Sequence, residues 1–243
     1  MASELSKIKV DADKLFIEIS DFCMPDKVAQ GEKILRELTD RYEITCIQGP
    51  IRDWKTEAMD EDFKRLTMNK TKHLIDLAYE YNVEKILFFS TYDQLVNMPS
   101  YDDMWLENNV AFWKEAAKYA KAKNITCLYC NVWDCKPELM RKLFKRVNAE
   151  NFKFGFDIGH AFYAGKMSLE MWVDSLKDYL DYVCVHDNNG DMDEHLQLGK
   201  GKINLEKIIS YIKNLKSDLM YCLQFFVKDG YESSVEILEN YLA

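Results

Sequence analysis

The feature that most restricts the fold of this chain is a strict alternation of short apolar, strand-like runs with longer segments of helical periodicity. Strands are expected at Leu15–Ser20, Ile44–Gln48, Lys85–Ser90, Thr126–Asn131, Lys153–Asp157, Tyr182–His186 and Met220–Phe225. Helical patterns fall at Lys27–Tyr42, Glu61–Tyr81, Trp105–Lys123, from Pro137 to Val147, and at Ser168–Tyr179, Asn204–Leu215 and Tyr231–Leu242. Seven such units argue for an α/β fold, a parallel sheet with helices outside it. Their roughly 30-residue pitch favours a TIM-type (β/α) barrel over an open doubly wound sheet. Ahead of Leu15 only Ile8-Lys9-Val10 reads as a strand, and it lies too close to the next one to be followed by a helix. The expectation is therefore a barrel of seven strands, or one incomplete at its N-terminus. With 243 residues, 48% of them hydrophobic, and no linker rich in Gly, Ser or Pro, a single domain over residues 1–243 is expected.

In a parallel barrel the functional groups gather where strands end and the following loops begin. The residues closing these strands include Glu18 or Ser20, Gln48, Ser90, Cys130, Asp157, His186 and Gln224, with Asn131 next to Cys130. Polar groups at the ends of apolar strands are costly unless they face a shared polar cavity. The densest chemistry lies in Phe156-Asp157-Ile158-Gly159-His160 and in the later stretch from Val185-His186-Asp187-Asn188 to Asp193-Glu194-His195. Three of the four histidines fall there, interleaved with carboxylates at spacings that suit metal ligation. His186 ends an apolar strand one strand away from Asp157, which suits a ligand or a substrate contact. His160 and His195 are expected on loops, where they either share a metal or hydrogen-bond a substrate. His73 sits inside a helical pattern and reads as a hydrogen-bonded polar residue.

Other features carry two readings each. Cys130 is either a small buried hydrophobe or a ligand, and Gln224 a hydrogen-bonding wall residue more than a ligand. Gly199-Lys200-Gly201-Lys202 could hold a phosphate through backbone N–H groups and lysine, or form a solvated turn. The acidic run from Asp187 to Glu194 is either part of the site or a solvated loop. Cys127 and Cys130 have CxxC spacing, but on a strand residues three apart point to opposite faces, which argues against a zinc knuckle.

Composition narrows the partners. A formal charge of -9 with no offsetting Lys/Arg stripe argues against nucleic acid. The longest apolar runs are far too short for a membrane span. Seven cysteines scattered singly fit a reduced, cytoplasmic protein.

The motifs also carry a resemblance. Phe156-Asp157-Ile158-Gly159-His160-Ala161 resembles the strand ending in D-x-G-H of the xylose-isomerase-like barrels, which include sugar phosphate isomerases and epimerases and, more distantly, endonuclease IV. Val185-His186-Asp187-Asn188, Asp193-Glu194-His195-Leu196 and Gly199-Lys200-Gly201 are similar to that family's later segment. The resemblance implies a divalent metal held by Glu, Asp, His and Glu, the two glutamates also shuttling a proton between neighbouring carbons of a sugar. Carried onto this chain the set becomes Cys130, Asp157, His186 and Gln224. Both glutamates are thus replaced, by an amide with no proton to exchange and a thiol whose unperturbed pKa is roughly 8.5. The endonuclease IV branch implies a second set that is present in full, His160, Asp193 and His195.

Three readings follow. The first is a sugar (phosphate) isomerase/epimerase-like barrel with an altered divalent-metal site, Zn or Mn, binding a small carbohydrate-like compound. Here His160, His186 and Cys130 are the candidate catalytic residues, and Glu18, Asn131, Gln224, His195 and Lys200 the candidate substrate contacts. Asp157, His160, His186, Asp193 and His195 are the candidate metal ligands. The second is a non-catalytic descendant that binds a ligand or a partner, a second copy of the chain included. The third is a metal-dependent hydrolase resting on His160, Asp193 and His195.

Overall fold

Strands of the chain follow one another in sequence order, β1 (Ile17–Ile19), β2 (Ile44–Gln48), β3 (Lys85–Phe89), β4 (Thr126–Cys130), β5 (Phe152–Asp157), β6 (Leu180–Val185) and β7 (Met220–Leu223). Between and after them lie α1 (Val28–Thr39), α2 (Glu61–Glu80), α3 (Tyr101–Lys121), α4 (Glu138–Val147), α5 (Ile158–Ala164), α6 (Leu169–Leu176), α7 (Leu205–Leu215) and α8 (Tyr231–Leu242). The structure, a computed structural model, describes residues 17–19, 25–39, 42, 44–225 and 230–243. The α/β, TIM-type expectation holds, with seven strands among the described residues. Of the first expected strand only Ile17–Ile19 is described. Leu15, Phe16, Ser20, Cys23, the Ile8-Lys9-Val10 candidate and the side chain of Glu18 lie outside the described residues.

Contacts divide the chain into two compact units. The first takes in residues through Thr91, Met98–Tyr129 and Lys142–Lys153. Its strands pair in parallel, Ile17↔Ile44 and Ile19↔Ile47 between β1 and β2, Ile47↔Ile86 and Gln48↔Leu87 between β2 and β3. Its core is aromatic. Trp113 on α3 is fully buried, with the rings of Phe88, Tyr129 and Phe152 at 5.2, 5.2 and 4.8 Å. Asp60 caps α2 by accepting from the Phe63 N–H at 2.9 Å, which satisfies one donor that the helix start leaves free. His73 lies here on α2, half exposed and bonded to Glu32 at 3.1 Å.

The second unit comprises residues 92–97, 130–141 and 154–243. Its strands are also parallel, Asp157↔Cys184 between β5 and β6 and Cys184↔Cys222 between β6 and β7. Phe154, Phe156, Tyr182 and Val183 are almost wholly buried, the near-continuous apolar strands of a sheet covered on both faces. The helix α5 was not expected. About two turns of mostly apolar residues give too short a window for a helical period to show. No helix among the described residues is long and apolar enough to cross a membrane.

Candidate metal centre

The polar residues that matter most lie in the second unit and begin at the β5–α5 junction. Asp157 ends β5 and caps α5, its Oδ1 accepting from the His160 N–H at 2.7 Å. Asn131 holds the junction in place, its side-chain amide donating to the Asp157 carbonyl and accepting from the Asp157 N–H, both at 2.9 Å. Asn131 is fully buried, and both of these side-chain bonds serve to position Asp157. His160 belongs to the first turn of α5 and not to a loop.

Gly159 explains the glycine in Asp157-Ile158-Gly159-His160. A Cβ at this position would fall on the imidazole of His186, with Cε1 as its nearest atom. Only a residue without a side chain lets α5 start against that ring.

The imidazoles are oriented by fixed acceptors. His160 Nδ1 lies 3.1 Å from the Asn131 carbonyl oxygen and His195 Nδ1 2.9 Å from that of Gln224. A carbonyl only accepts, so each Nδ1 carries the proton and donates it. Both Nε2 atoms then face Asp193, that of His160 at 3.3 Å from Oδ2 and that of His195 at 3.1 Å from Oδ1. His186 is held the other way round. Its Nε2–H donates to Asp157 Oδ1 at 2.9 Å, leaving a buried Nδ1 with no hydrogen-bond partner. The rings of His186 and His195 stack at 3.7 Å. One ligand atom from each of His160, His186, Asp193 and His195 lies within 4.8 Å of the others.

Charge follows from this packing. Burial alone would raise the Asp157 carboxyl, but His160 and His186 beside it hold it down at about 2. Burial opposes charge on His160, yet Asp157 and Asp193 outweigh it and lift the imidazole to about 9. Burial also works against the Asp193 carboxylate, and His160 and His195 overcome it and hold the group well below its usual range. A carboxylate set between two Nε2 atoms is an arrangement that a shared cation can complete.

The loop after β6 is folded around the site. Asp187 and Leu196 form an antiparallel bridge, with N–H to O distances of 2.9 and 2.8 Å. The buried Asp187 carboxylate accepts from the N–H groups of Asn188, Gly199, Gly201 and Ile203 at 2.9 to 3.1 Å. The Lys200 and Lys202 N–H groups bond to the carbonyls of Gln197 and Asn188. Every backbone donor from Gly199 to Ile203 is therefore engaged within the protein, so the loop does not offer the N–H cradle for phosphate, and Lys200 is simply exposed. The acidic run is tied down near its two ends, Asn188 donating to the Gly159 carbonyl and Glu194 accepting from Asn189, while Asp191 and Met192 between them are exposed. His195 adopts a left-handed backbone, φ 46°, which side-chain-bearing residues rarely take and which costs on the order of 1–3 kcal/mol.

The other candidates fall in different places. Gln224 contributes its main-chain carbonyl, to His195, and its side chain is partly exposed. Cys130 is buried in a group with Asp157 and Cys184, the last of which the sequence did not single out. Cys184 is found only through the register that sets it beside Asp157. Glu18 and Gln48 belong to the first unit.

Comparison with known proteins agrees with the fold. Residues 15–241 match the family described as the xylose isomerase-like TIM barrel, and the chain belongs to that family. An uncharacterised protein of Methanocaldococcus jannaschii is 28% identical over all of this chain and 85% of its own length. The crystal structure of a D-tagatose 3-epimerase-like protein superposes with a TM-score of 0.82 at 28% identity, covering 100% of this chain and 93% of that one. The IolI protein, solved with a bound zinc atom, gives 0.72 at 16% identity over 93% and 86% of the two chains.

Proposed function

We propose that this xylose isomerase-like barrel is a divalent-metal-dependent enzyme of isomerase or epimerase type, moving a proton on a carbon next to a carbonyl of a small polyhydroxy compound. One observation carries the reading: two imidazole Nε2 atoms, each with its Nδ1–H fixed on a carbonyl, converge on the two oxygens of Asp193. Two histidines and a carboxylate suit Zn²⁺ and leave a coordination position open, and main-chain carbonyls that hold the Nδ1–H groups are those expected around zinc-bound histidines. His160, Asp193 and His195 would hold the ion. Bound there, it would polarise a substrate carbonyl or hydroxyl.

The proton is the task of His186. Its Nε2–H on buried Asp157 and its unpartnered Nδ1 are the arrangement of a carboxylate-oriented histidine base. This pair would stand in for the glutamates that the family resemblance places at Cys130 and Gln224. The likeness to a D-tagatose 3-epimerase-like protein supports the substrate class, and the zinc in the IolI structure supports the metal.

The test is exchange of carbon-bound hydrogen with D₂O, followed by NMR across a panel of ketoses and aldoses with zinc-loaded protein. Exchange is expected with at least one sugar. His186→Asn should keep its zinc and lose exchange at least ~100-fold, and His195→Ala should lose both. A zinc-loaded protein that exchanges nothing, yet gains isomerase activity through Cys130→Glu with Gln224→Glu, would overturn the reading in favour of a non-catalytic descendant.

A further inference from the structure

Beneath the histidine cluster is a group of different chemistry. The Sγ atoms of Cys130 and Cys184 and a carboxylate oxygen of Asp157 lie within 4.8 Å of one another. All three residues are fully buried. They come from β4, β5 and β6, and Asp157 and Cys184 are direct register partners. Their clustering is therefore fixed by the sheet and not by a mobile loop.

A separate observation indicates that something is meant to sit there. Asp157 uses Oδ1 for both His186 and the His160 N–H. Its Oδ2 is buried and receives no hydrogen bond. His160 Nδ1 is 3.3 Å away, but its proton is directed at the Asn131 carbonyl. A carboxylate oxygen shut away from water without a hydrogen-bond donor, with the His160 ring 3.3 Å away as its charged neighbour, has coordination capacity left for a cation.

We infer that Cys130, Cys184 and Asp157 form a second cation site, distinct from the one at His160, Asp193 and His195, selective for soft divalent ions such as Zn²⁺ or Cd²⁺. Two thiolates and a carboxylate are a zinc-type donor set and a poor one for Mg²⁺ or Mn²⁺. Binding exchanges the two thiol protons, released to solvent, for one divalent ion. Asp157 then bridges the two halves of the polar core, one oxygen orienting His186 and the other ligating the second ion. This inference rests on the cation reading of the neighbouring cluster only for the total ion count.

The experiment is metal substitution in the intact protein. Co²⁺- or Cd²⁺-loaded protein is examined for thiolate-to-metal charge-transfer absorption, with metal content measured in parallel after dialysis. The wild type is expected to show the band and to hold about two ions per chain. Cys130→Ser and, separately, Cys184→Ser should lose the band and about one ion. His195→Ala should keep the band while losing the other ion, so failure of one site is distinguishable from failure of the other. Absence of the band in the wild type, where no folding defect can intervene, would overturn the inference. So would a band that survives both cysteine substitutions.

Discussion

Gly159 and His160 show how single residues set this site. Because a Cβ at position 159 would fall on the His186 ring, Gly159→Ala must push the imidazole off Asp157 or move α5. Overpacking of this kind destabilises by about 1–3 kcal/mol. Chemical denaturation should show that loss, together with weaker zinc binding; an unchanged midpoint would contradict the packing described. The histidine makes a prediction about pH. Its folded-state value of about 9 lies above the ~6.5 of an unfolded histidine. Its pairing with Asp157 and Asp193 therefore stabilises the metal-free protein fully below about pH 6.5, and that contribution is lost as pH rises through about 9. The Tm of chelator-treated protein should fall across this window, and His160→Asn should flatten the slope. Zinc-loaded protein should not show it, since ligation requires the neutral ring. A flat profile in the metal-free wild type would count against the assignment.

Two elements carry the geometry, the β5–α5 junction and the loop from Asp187 to Ile203. At the junction, Asn131→Ala removes both bonds that hold the Asp157 backbone and leaves them buried without partners. A loss of about 2–4 kcal/mol is expected by equilibrium unfolding, with His186 activity reduced as Asp157 shifts. In the loop, Asp187→Ala strands four N–H donors, whereas Lys200→Ala touches none of them. The first should cost about 3 kcal/mol or more and impair zinc retention; the second should change neither, and substrate affinity strongly dependent on Lys200 would reverse that view. The sequence made the strands, most helices and the three clustered histidines readable, because apolar periodicity and polar strand ends are local signals. Helix α5 was hidden by its length. The roles of Asn131 and Asp187 were hidden because backbone hydrogen bonds made by side chains depend on which segments meet. Cys184 looked like one more buried thiol until strand register set it beside Asp157.

For the molecule as a whole, the family fold was legible in the sequence. The alternation of strands and helices, together with the D-x-G-H motif, pointed to the xylose isomerase-like barrel to which the chain belongs. The replacement of both glutamates left open where a metal and a base could reside, and the fixed acceptors around His160, His186 and His195 are what the proposed assignment rests on. The central claim is that the two imidazole Nε2 atoms and Asp193 are a cation site. Anomalous scattering at the zinc edge from crystals grown with Zn²⁺ tests it directly. The account predicts a peak about 2.0–2.2 Å from His160 Nε2, His195 Nε2 and an Asp193 oxygen. Well-ordered density for these three side chains with no anomalous peak between them would contradict it.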